Sequence, residues 1–269
     1  MTPKILGIVN ITEDSFSDGG RYLNNVSALE HARMLAKDAD ILDLGAAASN
    51  PNAKKVSASD EIARLAPVVD ALKKEGRSIS VDGFSPDVQR WAVGQGADYL
   101  NDIQGFPQPN MYPLLAASQT KLIIMHAVQG LGRAEKINVP PGEIMGRVQR
   151  FFEERLKALT DAGISNERLI IDPGMGFFTG TDPRTSLVVL QNLRLLKAAF
   201  GLPLLVSVSR KSFLRVVTGR DTVSAGAATL AAELFAVSQG VDYVRTHDAA
   251  ALKDALAINQ ALALDVSRA

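Results

Sequence analysis

SISVDGFSPDVQRWAVGQGADYLNDI, residues 78–103, is the stretch whose reading decides the fold. SISVD (78–82) is an apolar run that ends in a carboxylate. Ser85 then stands as an N-cap before Pro86, and proline suits the first helical position because its missing N–H would be unbonded there anyway. Residues 86–95 follow with helical period, Gly96 sits where a helix end calls for glycine, and YLNDI (99–103) is a second strand-like run. The unit is strand, helix, strand.

The same alternation extends in both directions. KILGIVNI (4–11) and ILDLG (41–45) precede it, and KLIIMH (121–126), LIIDPG (169–174), LLVSVS (204–209) and YVRTH (243–247) follow. Most of these runs are nearly continuous in apolar residues, as strands covered on both faces should be. Helical periods fill 28–37, 59–74, 144–162, 186–200, 225–239 and 249–264, with Ser59 as a start signal for the second of these. Gly76, Gly163, Gly201 and Gly240 occupy further helix ends. Eight strands alternating with helices predict an α/β fold: a single (β/α)8 TIM barrel domain over residues 1–269. An open doubly wound sheet is the rival architecture.

Composition narrows the function classes. Of 269 residues, 29 are Lys or Arg and 29 are Asp or Glu, so the chain lacks the positive field that draws proteins to nucleic acid or anionic membranes. There is no cysteine, which removes disulfides, thiolate metal sites and a thiol nucleophile and fits a reducing compartment. The three histidines are too scattered for a zinc motif. No secretory signal or membrane-length apolar run is visible, so the expected location is the cytoplasm.

In a barrel, functional groups sit at the C-terminal ends of strands. Here those ends are Asn10, Asp43, Asp82, Asn101 with Asp102, His126, Asp172, Ser209-Arg210-Lys211, and Arg245 with His247. Asp82, Asp172 and Asn101 are a donor and acceptor set for a heterocycle bearing amino, amide and ring N–H groups. Helix or turn capping is the competing role for the two carboxylates. Arg210, Lys211, Arg245 and His247 come from the last two strands, where barrels often bind phosphate, and Ser209-Arg210-Lys211-Ser212 opens a helix. The loop TEDSFSDGGRY (12–22) carries oxygens suited to Mg²⁺ and glycines suited to a lid. No serine-nucleophile elbow, P-loop or dinucleotide fingerprint is present. The combination suits transfer of a group away from a diphosphate.

GIVNITEDSFSDGGRY (7–22), ILDLGAAASNP (41–51), SVDGFSPDV (80–88), LNDIQGF (100–106), DPGMGF (172–177), SVSRKSF (207–213) and VRTHD (244–248) together resemble dihydropteroate synthase. The matches are collinear over almost the whole chain. The resemblance implies a pterin-binding barrel, a homodimer, and assistance by Mg²⁺. It implies condensation of 6-hydroxymethyl-7,8-dihydropterin diphosphate with p-aminobenzoate to 7,8-dihydropteroate and pyrophosphate, in an SN1-like step. By motif match Asp82, Asn101, Asp172 and Lys211 hold the pterin. Asn10, Arg245 and His247 hold the diphosphate, with Asn10 near the metal. Asp43 orders the first two loops. Asp43, Asn10, Lys211 and Arg245 are then the catalytic candidates.

Three segments depart from the family pattern. Ala46-Ala47-Ala48-Ser49-Asn50-Pro51 replaces Gly-Glu-Ser-Thr-Arg-Pro and so lacks a guanidinium. DPGMGFFTGTDPRTSLVVL (172–190) is two residues longer than usual, with Phe178 in place of glycine, and QGFPQP (104–109) carries two prolines. Ser49, Asn50, Phe178, Ser209 and Arg210 thus mark the p-aminobenzoate side. The changes resemble sulfonamide-insensitive variants: a clash of Phe178 with the bulkier sulfonyl substituent would spare the planar carboxylate and confer drug resistance. Two other readings are a methyltetrahydrofolate-corrinoid methyltransferase module, which needs no diphosphate cations, and a non-catalytic pterin-binding barrel.

Overall fold

The computed structural model describes residues 2–11, 20–49, 51 and 55–266, with side chains of 20–25 and 263–266 left aside. Its strands are β1 (Lys4–Asn10), β2 (Ile41–Gly45), β3 (Ile79–Asp82), β4 (Tyr99–Asp102), β5 (Lys121–Met125), β6 (Leu169–Asp172), β7 (Leu205–Val206) and β8 (Tyr243–Thr246). All pair in parallel in the order β6-β5-β4-β3-β2-β1-β8-β7. A parallel bridge from Ile171 to Leu204 and a 3.0 Å bond from Ile171 N to Pro203 O bring the edges together, giving a nearly closed barrel. The barrel expectation holds and the open sheet falls.

The helices are α1 (Gly20–Leu35), α2 (Ala58–Lys74), α3 (Pro86–Gly94), α4 (Tyr112–Ala117), α5 (Ile144–Asp161), α6 (Pro183–Gln191), α7 (Leu193–Phe200), α8 (Ser212–Thr218), α9 (Gly226–Ser238) and α10 (Ala249–Val266). Three local expectations change. Ser57, not Ser59, caps α2: its hydroxyl accepts from Asp60 N at 3.1 Å. The helix expected over 186–200 is two, because Asn192 leaves helical geometry and its Nδ2 donates back to Val188 O. The strand expected over 204–209 ends at Val206, and the chain beyond it turns through Arg210 at φ +58°. Gly76, Gly96, Gly163, Gly201 and Gly240 all take positive φ at helix ends, as expected. No described helix is long and apolar enough to cross a membrane.

Strand side chains alternate between two environments with period two. Leu6, Ile41, Tyr99, Ile123, Ile170, Leu205 and Tyr243 form an apolar plug inside the barrel, with the Tyr99 and Tyr243 rings edge to face at 6.4 Å. The intervening residues, such as Leu42, Leu44, Ile124 and Val244, join the larger core beneath the helices. Two positions beyond the plug come Asp43, Asn101, Asp172, Ser207 and Arg245, on the same inner face. Asp102 and His126 have the opposite parity. Asp102 is buried and binds Gln104 N, Phe106 N and Gln89 Nε2 at 2.8, 3.0 and 2.9 Å, so it holds the loop after β4. His126 packs edge to face on Phe151 of α5 and bonds Pro173 O at 3.1 Å, and burial pushes its imidazole down to about 4. Both strand-end groups are structural.

Thr246 also faces outward, toward Glu233 on α9, which is 1% exposed with Oε1 unpartnered among the described residues. Burial, opposed by the Thr246 bond, raises its carboxyl from 4.5 to about 7. A raised folded-state value means that the folded protein binds the proton more tightly than the unfolded chain. The resulting stability is fully present below 4.5 and is lost as pH rises through about 7. Chemical denaturation from pH 4.5 to 8 should therefore show wild type losing stability relative to Glu233→Gln. A pH-independent difference between the two would refute the assignment.

Candidate active site

The C-terminal strand ends open into a cavity of about 710 Å³. Asn10, Asp82, Ser207, Ser209, Arg245 and His247 line it from β1, β3, the segment after β7, and the end of β8. Asp43, Asn101 and Asp172 lie on the same inner face, at most 3% exposed. Arg245 ties the set together. Its Nε donates to Asp43 Oδ2 at 2.5 Å and its Nη2 to Asp82 Oδ2 at 2.7 Å. Asn101 Nδ2 approaches the same Asp43 oxygen at 3.4 Å. Asp43 Oδ1, Asn101 Oδ1 and Ser207 Oγ are buried with no partner among the described residues. Buried polar atoms are costly to leave unpaired, so such a group suits a polar ring that brings its own donors.

Charge in the cavity is set by burial and by neighbours. Burial raises the Asp82 carboxyl and Arg245 pulls it back. Burial raises Asp172 to about 6, against the Gly174 N–H and Lys211. Asp172 Oδ1 accepts from Gly174 N at 2.9 Å, so the turn-capping role is real and uses one of its oxygens. Lys211 is lowered to about 8, mainly by burial and Arg245, while Asp172 and Asp82 favour its charge. Its ammonium sits 5.1 Å from the Phe178 ring centroid. His247 is pushed down to about 3 by burial and then by Arg245, so its ring is neutral. It bonds Ser209 Oγ through Nδ1 at 2.9 Å. When Ser209 donates, Nε2 carries the hydrogen and remains a neutral donor for an anion.

Three loops are knit together on the other side. Ala134 N bonds Ser49 O at 3.0 Å, Val128 N bonds Phe178 O at 3.0 Å, and Thr181 N bonds Ile137 O at 2.8 Å. Thr179 and Ser186 close the loop after β6 at 2.7 Å, and Ser186 Oγ accepts from Gly176 N. Ser49, Ser209 and Arg210 line the cavity. Asn50 and the loop residues 12–19 lie outside the described residues. Phe178 does not line it. That side chain is 5% exposed, packed with Ile103, Met125, Ala127 and Ala134. The aromatic wall is Phe177. Sequence reasoning missed Phe177, Lys136, Arg215 and Thr222. Arg215 was within reach, since it lies one turn beyond Ser212 on the helix that SRKS opens. Lys136 comes from the loop after β5, and no local pattern assigns it.

Inward polar strand ends beneath a cationic rim define a (β/α)8 enzyme built to hold a polar heterocycle beside anions. The model of the family described as pterin binding enzyme matches residues 6–247. The chain is 53% identical to a dihydropteroate synthase type-3 of Escherichia coli, over 96% of this chain and 99% of the relative. It is 54% identical to a type-2 synthase of Shigella flexneri, over 96% and 95% of the two chains. It is also similar to a solved Xanthomonas albilineans dihydropteroate synthase with 4-aminobenzoic acid, at TM-score 0.88 and 36% identity, covering 97% of this chain and 93% of that one. The chain belongs to the dihydropteroate synthase family, and it is a transferase.

Proposed function

We propose that the protein joins 6-hydroxymethyl-7,8-dihydropterin diphosphate to p-aminobenzoate, releasing pyrophosphate. The observation that carries this is the Asp43–Arg245–Asp82 clasp beside Asp172, Asn101 and Lys211. Asp82, Asn101, Asp172 and Lys211 are the proposed pterin contacts, with carboxylate and amide oxygens accepting from the ring's N–H groups. Asn10, Arg245 and His247 are the proposed diphosphate contacts. In the reaction the methylene C–O bond breaks and its electron pair leaves with the diphosphate. The aniline nitrogen then forms the new C–N bond and releases a proton. Arg245 and Lys211 stabilise the departing charge, and the carboxylates Asp43 and Asp82 stabilise the cationic pterin.

Among the described residues no group of three or more His, Asp or Glu is gathered for a metal ion. The donor set still fits Mg²⁺, which takes one or two protein oxygens plus substrate phosphates, and Asn10 supplies an oxygen at the cavity wall. Bound there, Mg²⁺ would neutralise diphosphate charge as the leaving group departs. The rim cations favour this reading over a corrinoid methyltransferase, whose substrates carry no diphosphate. A homodimer is supported by exposed Leu195, Phe235, Ile258 and Leu262 on α7, α9 and α10. Absence of cysteine is in keeping with a cytoplasmic enzyme.

The decisive experiment is pyrophosphate release by the purified protein with pterin diphosphate and Mg²⁺. Release that depends on p-aminobenzoate is expected. Independence from it would overturn the proposal. We further propose insensitivity to sulfonamides, with Phe177 as the wall against the sulfonyl substituent and Phe178 as the support of Lys211. Phe177→Ala should then lower the sulfonamide inhibition constant about tenfold, as loss of roughly 1.4 kcal/mol of clash implies. Phe178→Ala should instead raise the KM for pterin diphosphate. Equal drug sensitivity of wild type and Phe177→Ala would remove Phe177 from the role.

A further inference from the structure

The two reactants are anionic at their far ends, one as a diphosphate and the other as a carboxylate. Among the described residues five cations line the cavity: Lys136, Arg210, Lys211, Arg215 and Arg245. Four of them are accounted for. Arg245 is clasped by Asp43 and Asp82, and Lys211 feels Asp172 and Asp82 and rests over Phe178. Lys136 and Arg210 are exposed and solvated. Arg215 differs. It is half-buried, and its Nε is buried with no hydrogen-bond partner among the described residues. A guanidinium N–H excluded from water calls for an acceptor, and its planar fork matches a carboxylate.

Position separates Arg215 from the diphosphate groups. It is shared, with Phe177, between the main cavity and a neighbouring one of about 450 Å³. That second cavity is also lined by Ser212, Phe213 and Pro183, and by none of Asn10, Asp82, Arg245 or His247. Arg215 therefore faces the part of the site beyond Phe177, away from the heterocycle clasp.

We propose that Arg215 is the counter-ion for the carboxylate of the aromatic amine, and so selects a carboxylated acceptor over neutral ones. The inference rests on the synthase reading above. The test is steady-state kinetics of wild type, R215Q and R215K, with p-aminobenzoate and the neutral p-aminobenzamide as acceptors and each substrate varied in turn. R215Q should raise the KM for p-aminobenzoate about tenfold or more, the scale of one charge-assisted bond, while the KM for pterin diphosphate moves less than about twofold. The preference for acid over amide should shrink by the same factor, and R215K should recover part of it. Equal losses on both acceptors, or a rise confined to pterin diphosphate, would overturn the assignment. Should R215Q fail to fold, the wild-type and R215K preferences decide: equal use of acid and amide by wild type, or an unaltered preference in R215K, overturns it. Wild type without p-aminobenzoate-dependent release overturns the synthase reading as well, which separates the two failures.

Discussion

Replacing Arg245 by methionine should abolish turnover and destabilise the protein together. Its guanidinium is 13% exposed and binds Asp43, which is fully buried, and Asp82, which is 22% exposed. Removing one partner of a buried pair leaves uncompensated charge, at a cost of about 3–5 kcal/mol. The midpoint of thermal unfolding should fall by roughly 5–15 °C. Loss of the cation that stabilises the leaving diphosphate should lower kcat/KM by about 10³-fold. Without Arg245 the Asp82 carboxyl, which Arg245 pulls down against burial, is raised further, so its stabilising contribution is present at low pH and lost as pH rises. The stability gap between wild type and variant should therefore be wider at pH 8 than at pH 5. Adding Asp43→Asn should restore stability without restoring activity. Recovery of both would make Arg245 a structural residue only.

Gly174→Ala should cost more than any other single methyl group near the site. A Cβ there would lie 2.3 Å from the His126 carbonyl oxygen and 3.1 Å from Phe178 Cβ, at φ +71°. The obstacle is backbone, and it cannot swing aside. Losses above about 4 kcal/mol are exceptional for point variants and arise from such mechanisms. Because Gly174 N donates to Asp172, the shift also disturbs a proposed pterin contact. Gly163→Ala is the control: φ is +86° and nothing lies within 4 Å, leaving only the left-handed strain of about 1–2 kcal/mol. Urea denaturation of the two variants measures the contrast, and equal losses would contradict the packing argument.

The strand ends Asn10, Asp82, Asn101, Asp172 and Arg245 were all legible as polar groups closing apolar runs. Parity would have sorted them further. Counting in twos from Tyr99 reaches Asn101 and skips Asp102, and counting from Ile123 reaches Met125 and skips His126. Loop residues offer no such count. Phe177 and Phe178 are adjacent and chemically identical, yet one lines the cavity and the other packs beneath Lys211. That division depends on Thr179, Ser186 and the bonds from Val128 and Thr181, which join segments far apart in sequence.

By itself the sequence determined the barrel, because period-two burial and period-3.6 faces are local properties written into neighbouring residues. It also determined which residue types meet at the strand ends, since a parallel barrel brings all those ends to one face. Tertiary structure alone decided that Arg245 clasps Asp43 and Asp82 across 202 and 163 residues, and that His247 is neutral. It alone brought Arg215 and Phe177 to the far wall. Hydrogen-bond partners and desolvation arise from three-dimensional proximity, and no spacing along a chain encodes them.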